Sequence, residues 1–167
     1  MKTRVSISPL GKPDAAEFVR AALDSKVLHA HWVSPPLTVQ AFRARLERMQ
    51  PPSNYAFAVR RVDTGALIGC VEVTNVIRGL FLSAYLGYYA FAGHERQGFM
   101  SEGLALVAKH AFGPLRLHRL EANVQPDNLS SISLLQRCGF SKEGYSPRYL
   151  KIRGRWRDHE RWALLAR

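Results

Sequence analysis

The sequence predicts a single domain of α/β (α+β) class that spans residues 1–167. Three observations predict this class. Apolar residues recur at helical spacing before residue 51, they alternate with a period of two between residues 55 and 91, and helical and strand patterns alternate beyond residue 99. A chain of 167 residues, 47% of them hydrophobic, has the size and composition of one domain with a buried core.

The first third of the chain predicts one strand and two helices. RVSISPL alternates as a strand does. Pro13 with Asp14 then opens a helical pattern whose apolar residues are Phe18, Val19, Ala22, Leu23 and Val27. Thr38 is a candidate N-cap of the second helix, because its hydroxyl can accept a backbone N–H from the first turn. The apolar face of this second helix comprises Val39, Phe42, Leu46 and Met49.

From Tyr55 onward the pattern predicts a three-stranded antiparallel meander, with turns at 63–65 and 78–79. Helix and strand then alternate. The segments are a helix after Gly98, the strand LHRLEANVQ, the helix LSSISLLQRC, and final strands with a connecting loop formed by GFSKEGY, RYLKIRG and RWRDHERWALL. Asn128 can cap the helix LSSISLLQRC, and Gly139 can end it.

The charge balance predicts an anionic partner. Lysine and arginine number 24 against 13 aspartate and glutamate, for a formal net charge of +11. The basic residues are scattered and no nucleic-acid motif is present, so we expect no sequence-specific nucleic-acid binding; an anionic cofactor and a ribosomal surface both explain the charge. No apolar run has the length of a signal peptide or a membrane span, so we expect a cytoplasmic protein without a membrane partner.

The segment GHERQGFMSEGL, residues 93–104, has the features of an anion-binding loop. It joins a strand end to a helix start, where free backbone N–H groups and the helix dipole favour an anion, and a glycine permits close approach. An ordinary connection would look similar. The loop has neither the GK[ST] of a Walker A motif nor a GxGxxG fingerprint, which disfavours nucleotide hydrolysis and hydride transfer.

The order of several motifs carries a family resemblance. These motifs are NVIRG with YLGY, then RQGFMSEGL, HRLEANVQPDN, CGFSKEGY and YLKIRGRWRDH. Together they resemble the GNAT superfamily of N-acetyltransferases, and within it the RimJ/RimL-like branch of ribosomal-protein alanine N-acetyltransferases. The resemblance implies a mixed, mostly antiparallel central sheet of six to seven strands. Its central strands would be splayed, and about four helices would flank it.

The resemblance also implies acetyl-CoA as co-substrate. The family holds the CoA pyrophosphate with the backbone amides of a [QR]-x-x-G-x-[GA] loop, which corresponds to residues 95–100; only Gly98 matches strictly. A backbone N–H near Tyr89 or Ala90 would face the thioester oxygen. The implied CoA-binding residues are Tyr89, Ala90, Phe91, Arg96, Gln97, Gly98, Phe99, Met100, Ser101, Asn128 and Ser131.

For catalysis the resemblance implies Ser131 as general acid, because Leu135 occupies the place of the superfamily's usual tyrosine. A polar residue in a first helical turn explains Ser131 equally well, and simple N-capping explains Asn128. Glu72, an acid in an apolar strand, is the candidate base, and Asn123 and Glu121 on a neighbouring strand are further candidates. Tyr149, Trp156 and Asp158 fall in a closing hairpin that would shape the acceptor pocket.

Three functions stay open from the sequence. The first is acetylation of a protein's terminal α-amino group, of alanine type, such as that of a ribosomal protein. The second is acetylation of an amino acid, polyamine or antibiotic, and the third is a non-catalytic module that binds CoA or the ribosome. The six histidines show no metal-ligand spacing, so we expect no metal. We expect a monomer or a homodimer.

Overall fold

The computed structural model describes residues 3–167, which form a seven-stranded sheet in the order β1-β2-β3-β4-β5-β7-β6. Neighbouring strands are antiparallel except β4 and β5, which are parallel. This confirms the predicted mixed sheet and its meander. The strands are Val5–Pro9 (β1), Tyr55–Arg61 (β2), Leu67–Ile77 (β3), Ser83–Ala90 (β4), Arg119–Val124 (β5), Ser141–Ile152 (β6) and Arg155–Leu165 (β7).

The helices are Ala15–Asp24 (α1), Lys26–His29 (α2), Val39–Arg48 (α3), Phe99–Phe112 (α4) and Leu129–Arg137 (α5), and α2 is a single turn. Both predicted caps are confirmed. The Thr38 hydroxyl accepts the Ala41 N–H at 3.1 Å, and the Asn128 side-chain oxygen accepts the Ser131 N–H at 3.2 Å. The first predicted helix ends earlier than its apolar pattern suggests, because Ser25 caps α1 and bonds through its hydroxyl to Ala21 O and to Ala92 N–H.

Helices cover both faces of the sheet. On one face α4 and α5 bury Leu104 and Leu135 against residues such as Val71 and Leu120. On the other face α1 and α3 bury Phe18 and Phe42 in a second cluster with Cys70, Tyr89 and Phe91. Because side chains alternate along a strand, each residue of β3 to β5 can be assigned to the α4–α5 face or to the α1–α3 face.

The parallel strands β4 and β5 separate after three residue pairs. Ser83–Tyr85 pairs with Arg119–Glu121, and beyond those residues the two strands no longer pair with each other. This confirms the splayed central strands. The Phe91 N–H bonds to Ile68 O of β3 at 2.7 Å, and backbone groups point alternately to the two edges of a strand. Tyr88 and Ala90 therefore direct their backbone groups into the gap.

The C-terminal segments form strands with a connecting turn, as predicted. GFSKEGY and RYLKIRG contribute to one long strand, β6, and a turn at residues 153–154 joins it to β7. The pairing of β6 with β7 shifts register between Ser146 and Leu150, and Arg148 has a positive φ of 46°. A bulge at this place accommodates Pro147, which has no N–H to give to the ladder, so the strand continues past it.

Candidate active site

The gap between β4 and β5 opens a cleft of about 120 Å³. Its lining comes from both separated strands, the loop before α5, the loop after α2, and one position of β7. The lining residues are Trp32, Val33, Leu86, Gly87, Tyr88, Ala122, Asn123, Val124, Gln125, Asn128, Ser131 and His159. The cleft thus brings together Ser131, Asn128 and Asn123 among the residues singled out in the sequence.

Ser131 meets a second hydroxyl in this cleft. The Ser131 Oγ lies 2.6 Å from the Tyr88 Oη, and the two side chains come from α5 and β4. Burial raises the pKa of Tyr88, so its phenol keeps its proton at neutral pH. The pair can therefore supply a proton from Ser131 and replace it from Tyr88.

Tyr88 was not assigned to the reaction from the sequence. A signal for it was present, because Tyr88 shares the α4–α5 face with Ala84 and Leu86 by a period of two. The pairing with a hydroxyl on α5 could not be derived, since it depends on how α5 packs.

The two asparagines of the cleft, Asn123 and Asn128, differ in their hydrogen bonding. Asn128 caps α5, as the alternative in the sequence analysis proposed, and it also lines the cleft. The Asn123 Oδ1 is buried and has no hydrogen-bond partner among residues 3–167. A buried carbonyl oxygen without a partner is costly, so this atom is suited to accept a hydrogen bond from a bound group.

The loop before α4 presents free backbone donors. Among the described residues, no acceptor reaches the N–H groups of residues 96–101. Gly98 is the N-cap of α4 with a positive φ of 83°, and Arg96 also has a positive φ of 59°. These donors and the N-terminus of a 14-residue helix form an anion site of the kind that binds pyrophosphate.

The two departures from the family's loop signature leave these donors free. The Glu95 carboxylate accepts the Gly93 N–H at 2.7 Å and so fixes the first turn of the loop. The Met100 side chain is buried, and it packs so closely on Gly69 that a Cβ there would lie 2.4 Å from its sulfur. Neither side chain reaches the donors themselves.

Arg4 braces the loop from outside. Its guanidinium donates to Gln97 O at 3.0 Å and to the Glu102 carboxylate at 2.6 Å, and it lies 4.7 Å from the centre of the Phe99 ring. A Cβ at Gly98 would lie 3.2 Å from Arg4 Nη2. The space beside Gly98 is therefore filled, and the loop conformation depends on glycine there.

Tyr89 and Ala90 at the end of β4, and Phe91 just after it, lie in different environments. Tyr89 and Phe91 are buried in the α1–α3 cluster, and the alternation of β4 directs the Tyr89 N–H toward β3. Ala90 faces the gap with its backbone, and its carbonyl accepts the His29 Nε2–H at 2.6 Å. Of the two candidate donors to a thioester oxygen, the geometry therefore favours Ala90.

Glu72 lies outside the cleft lining. It belongs to the α1–α3 face, is 5% exposed, and both of its carboxylate oxygens accept from the Arg45 guanidinium of α3. Glu72 shares this face with Asn123 and His159 by strand alternation. Its Oε2 lies 3.9 Å from the position of a Cβ added at Gly87 of the cleft. The base role of Glu72 stays a prediction, and the ion pair accounts for a buried carboxylate without it.

His159 is a second titratable cleft residue that was not assigned to the reaction from the sequence. It is 3% exposed, its Nδ1–H donates to Arg157 O at 2.9 Å, and burial lowers its pKa from the ordinary 6.5. The ring is therefore neutral at pH 7, with the Nε2 lone pair available. Its neighbours in the sequence are charged, and only the strand alternation that buries Trp162 on the opposite face could have indicated its position.

The three residues predicted to shape the acceptor pocket lie in different surroundings. The Tyr149 ring lies 6.3 Å from that of His159, centre to centre, whereas Trp156 is exposed at the hairpin tip. Asp158 accepts from the Tyr145 hydroxyl and from the Arg148 N–H, so it braces the bulge of β6. Within residues 3–167 no group of three or more His, Cys, Asp or Glu side chains is placed to hold a metal ion.

Comparison with known proteins decides the family. The chain matches the family model of the acetyltransferase (GNAT) domain over residues 4–141. The chain belongs to this family. It is 39% identical over 132 residues to the probable N-acetyltransferase YjcK of Bacillus subtilis, an alignment that covers 77% of this chain and 73% of that protein.

Two further relatives support the RimJ/RimL-like branch. The chain is 39% identical over 112 residues to the [ribosomal protein uS5]-alanine N-acetyltransferase of Escherichia coli, covering 67% of this chain and 58% of that protein. The structure of Mycobacterium smegmatis RimJ in complex with CoA-disulfide superposes with a TM-score of 0.90 at 28% identity, covering 97% and 82% of the two chains. The chain is therefore an acyltransferase with acetyl-CoA as co-substrate. Separately, none of the helices within residues 3–167 is long and apolar enough to cross a membrane.

Proposed function

We propose that this acetyltransferase acts on the terminal α-amino group of a protein, of alanine type, such as that of a ribosomal protein. One observation carries the proposal: within residues 3–167 no Asp or Glu lines the cleft, and the carboxylate of Glu72, beside the cleft residue Gly87, is already paired with Arg45. A polyamine carries several positive charges and needs carboxylates for its recognition, whereas a terminal amine brings one charge, which it loses before reaction. The similarity to the Escherichia coli alanine N-acetyltransferase supports the same acceptor.

The chemistry of amines also supports this acceptor. Only a neutral amine attacks a thioester, and an α-amino group with a pKa of about 7.7 to 8.0 is roughly one tenth neutral at pH 7. A lysine with a pKa of about 10.4 is neutral in fewer than one molecule in a thousand. A cleft whose base is a single neutral imidazole suits the amine that needs less activation.

The loop before α4 fits the co-substrate. The free N–H groups of residues 96–101 would hold the pyrophosphate, and the edge of β4 at Tyr88 and Ala90 would hold the pantetheine arm. Acetyl-CoA supplies the activated acetyl thioester. The chain would hold it between two strands that no longer pair with each other.

The cleft residues divide the proton transfers between them. His159 Nε2 accepts the proton of the acceptor amine, because its Nδ1 already donates to Arg157 O. The Asn123 Oδ1 accepts a second N–H of the amine and orients it. Ser131 holds the proton for the leaving sulfur, and Tyr88, 2.6 Å behind it, restores that proton.

A comparison of acceptors tests the proposal. A peptide that begins with alanine is compared with the same peptide carrying a blocked terminus and a free lysine, and with spermidine, by following thiol release and the mass of the product. At pH 7 we expect the free terminus to react roughly two- to four-hundredfold faster than the lysine, from the difference in neutral fraction. Faster reaction of spermidine or of the lysine would contradict the proposal. The Ser131→Ala protein, purified in parallel, controls for contaminating activity.

A further inference from the structure

A row of arginines follows the strand that carries His159. Arg155, Arg157, His159 and Arg161 occupy alternate positions of β7, so their side chains share one face of the sheet. Arg161 is paired in register with Asn123 of the cleft, which places the row on the same face as Asn123. We call Arg155, Arg157 and Arg161 the arginine row. It starts beside the cleft at Arg161 and continues past His159 toward the hairpin tip.

Arg155 and Arg157 have no acid paired with them within residues 3–167, whereas Arg161 lies near Glu143, whose pKa is lowered by Arg119 and, more weakly, by Arg161. All three side chains are exposed, and none of them forms an ion pair within residues 3–167. The acids at the intervening positions are already engaged: Asp158 accepts from Tyr145 and Arg148, and Glu160 accepts from Lys142 and Trp162. Other arginines of the sheet do form pairs, such as Arg61 with Asp63.

The hairpin that carries the row is held against the cleft entrance. The Arg153 Nε donates to the Ser34 Oγ at 3.4 Å, and Ser34 follows Trp32 and Val33, which line the cleft. The same loop is also tied to the cleft at its start, where Gln125 donates to His31 O at 3.3 Å. A chain that leaves the cleft on this face therefore passes the arginine row.

We propose that the arginine row binds carboxylates of the acceptor polypeptide, so that the preferred acceptor carries Asp or Glu a few residues after its amino terminus. This inference rests on the proposed function. Strand geometry places Arg157 and Arg155 about 7 Å and about 13 Å along β7 from His159, at roughly 3.3 Å per residue. An extended acceptor advances about as much per residue, so the acidic side chains fall at about positions 3 to 5 when the first residue is in the cleft.

The position of the row favours the acceptor over a nucleic acid as its partner. An acceptor chain must leave the cleft while its amine is bound, so it meets the row without any additional binding event. Guanidinium groups bind carboxylates with two parallel hydrogen bonds, which gives geometric selection as well as attraction. RNA phosphates would also be attracted, but they would have to arrive independently of the amine in the cleft.

Three matched peptides test the inference. They share an amino-terminal alanine and differ only at the positions next to the row, where they carry Glu, Gln or Lys. For the wild-type protein at low salt we expect kcat/KM to be about three- to thirtyfold higher for the Glu peptide than for the Gln peptide, as expected from two exposed charge pairs. The Lys peptide should be slower still, and added salt should reduce the differences.

Two double variants identify the source of the preference. Arg155→Gln with Arg157→Gln should bring the Glu and Gln peptides within about twofold of each other, since both charges are removed. Lys109→Gln with Arg137→Gln removes the same charge from exposed positions of α4 and α5 and should keep the preference. Arg155→Lys with Arg157→Lys should retain part of it, because the charge stays while the bidentate geometry is lost.

Binding separates this inference from the proposed function. The peptides, labelled at their carboxyl ends, are titrated with protein in the presence of CoA and followed by fluorescence polarisation. Tighter binding of the Glu peptide that the Arg155→Gln/Arg157→Gln variant loses supports the inference even if no peptide is acetylated, an outcome that contradicts the proposed function alone. Equal binding of all peptides overturns the inference. So does an unaltered preference in that variant, including the case where it loses affinity only for an RNA oligonucleotide.

Discussion

The CoA side and the acceptor side of the cleft use different chemical groups. On the CoA side the donors are backbone N–H groups of residues 96–101, and the side chains around them serve to hold the loop in shape. On the proposed acceptor side the groups assigned to the reaction and to acceptor binding are side chains, His159 and Asn123 in the cleft and arginines along β7. Substitutions should therefore act differently on the two sides. CoA binding should depend on backbone conformation, and the use of the acceptor should depend on the identity of each side chain.

The largest effect is expected for the base on the acceptor side. We expect His159→Gln to lower kcat by about a hundred- to a thousandfold, the range of general base catalysis. Burial lowers the pKa of His159 below 6.5, so the wild type keeps its base at neutral pH and loses it as the pH falls through that lowered pKa. Below it, log(kcat/KM) should fall with a slope of about two, from histidine and amine together, and with a slope of about one in the variant.

Glu72→Gln is the matched comparison for His159→Gln, because the sequence favoured Glu72 as the base. The exchange breaks the buried ion pair with Arg45, so we expect a loss of about 3 kcal/mol in the free energy of unfolding, measured by denaturant titration. We expect kcat to stay within about threefold of wild type, below what a general base contributes. A hundredfold loss of kcat in Glu72→Gln, with His159→Gln nearly fully active, would return the base role to Glu72.

The next effect concerns the hydroxyl pair in the cleft. Ser131→Ala should lower kcat by about ten- to a thousandfold while CoA affinity changes little, because a proton donor acts only as charge develops on sulfur. Steady-state rates and CoA titration measure the two quantities. Tyr88→Phe should give a smaller loss, since Ser131 keeps its own proton and loses only the group that restores it. If Ser131→Ala keeps full kcat, water protonates the sulfur and Ser131 is only a residue of the helical turn.

A smaller effect is expected for the backbone of the CoA side. Gly98→Val should weaken CoA binding about tenfold or more, measured by calorimetry, because the side chain is strained at a φ of 83° and meets Arg4. Gly65→Val is the control, since Gly65 has a similar φ of 74° but nothing within 4 Å of an added Cβ. Equal CoA affinity in both variants would mean that the pyrophosphate binds elsewhere.

Much of the fold could be predicted because local signals agreed with the final packing. Thr38 and Asn128 cap their helices as their positions suggested, and the period of two between residues 55 and 91 became the meander. The helix through Val27 was wrong in its length, because Ser25 ends α1 by bonding to Ala92, a residue distant in sequence. No local pattern encodes such a contact.

The site could be predicted only in part for the same reason. The loop around Gly98 has a local signature, so the CoA side was accessible from the sequence. The partnership of Ser131 with Tyr88 and the place of His159 depend on how α5 and β7 meet β4 and β5. Glu72 looked available because the sequence does not show that Arg45, 27 residues earlier, takes both of its oxygens.

The most direct test of the central claim is a mass-spectrometric survey of protein amino termini in host cells that contain or lack this enzyme. The account predicts that one or a few proteins lose acetylation of an amino-terminal alanine, and that these proteins carry Asp or Glu at about positions 3 to 5. Restoring the wild-type enzyme should restore the acetyl groups, and restoring the Ser131→Ala protein should not. An unchanged set of acetylated termini, together with a loss of acetylated polyamines or other small amines, would contradict the account.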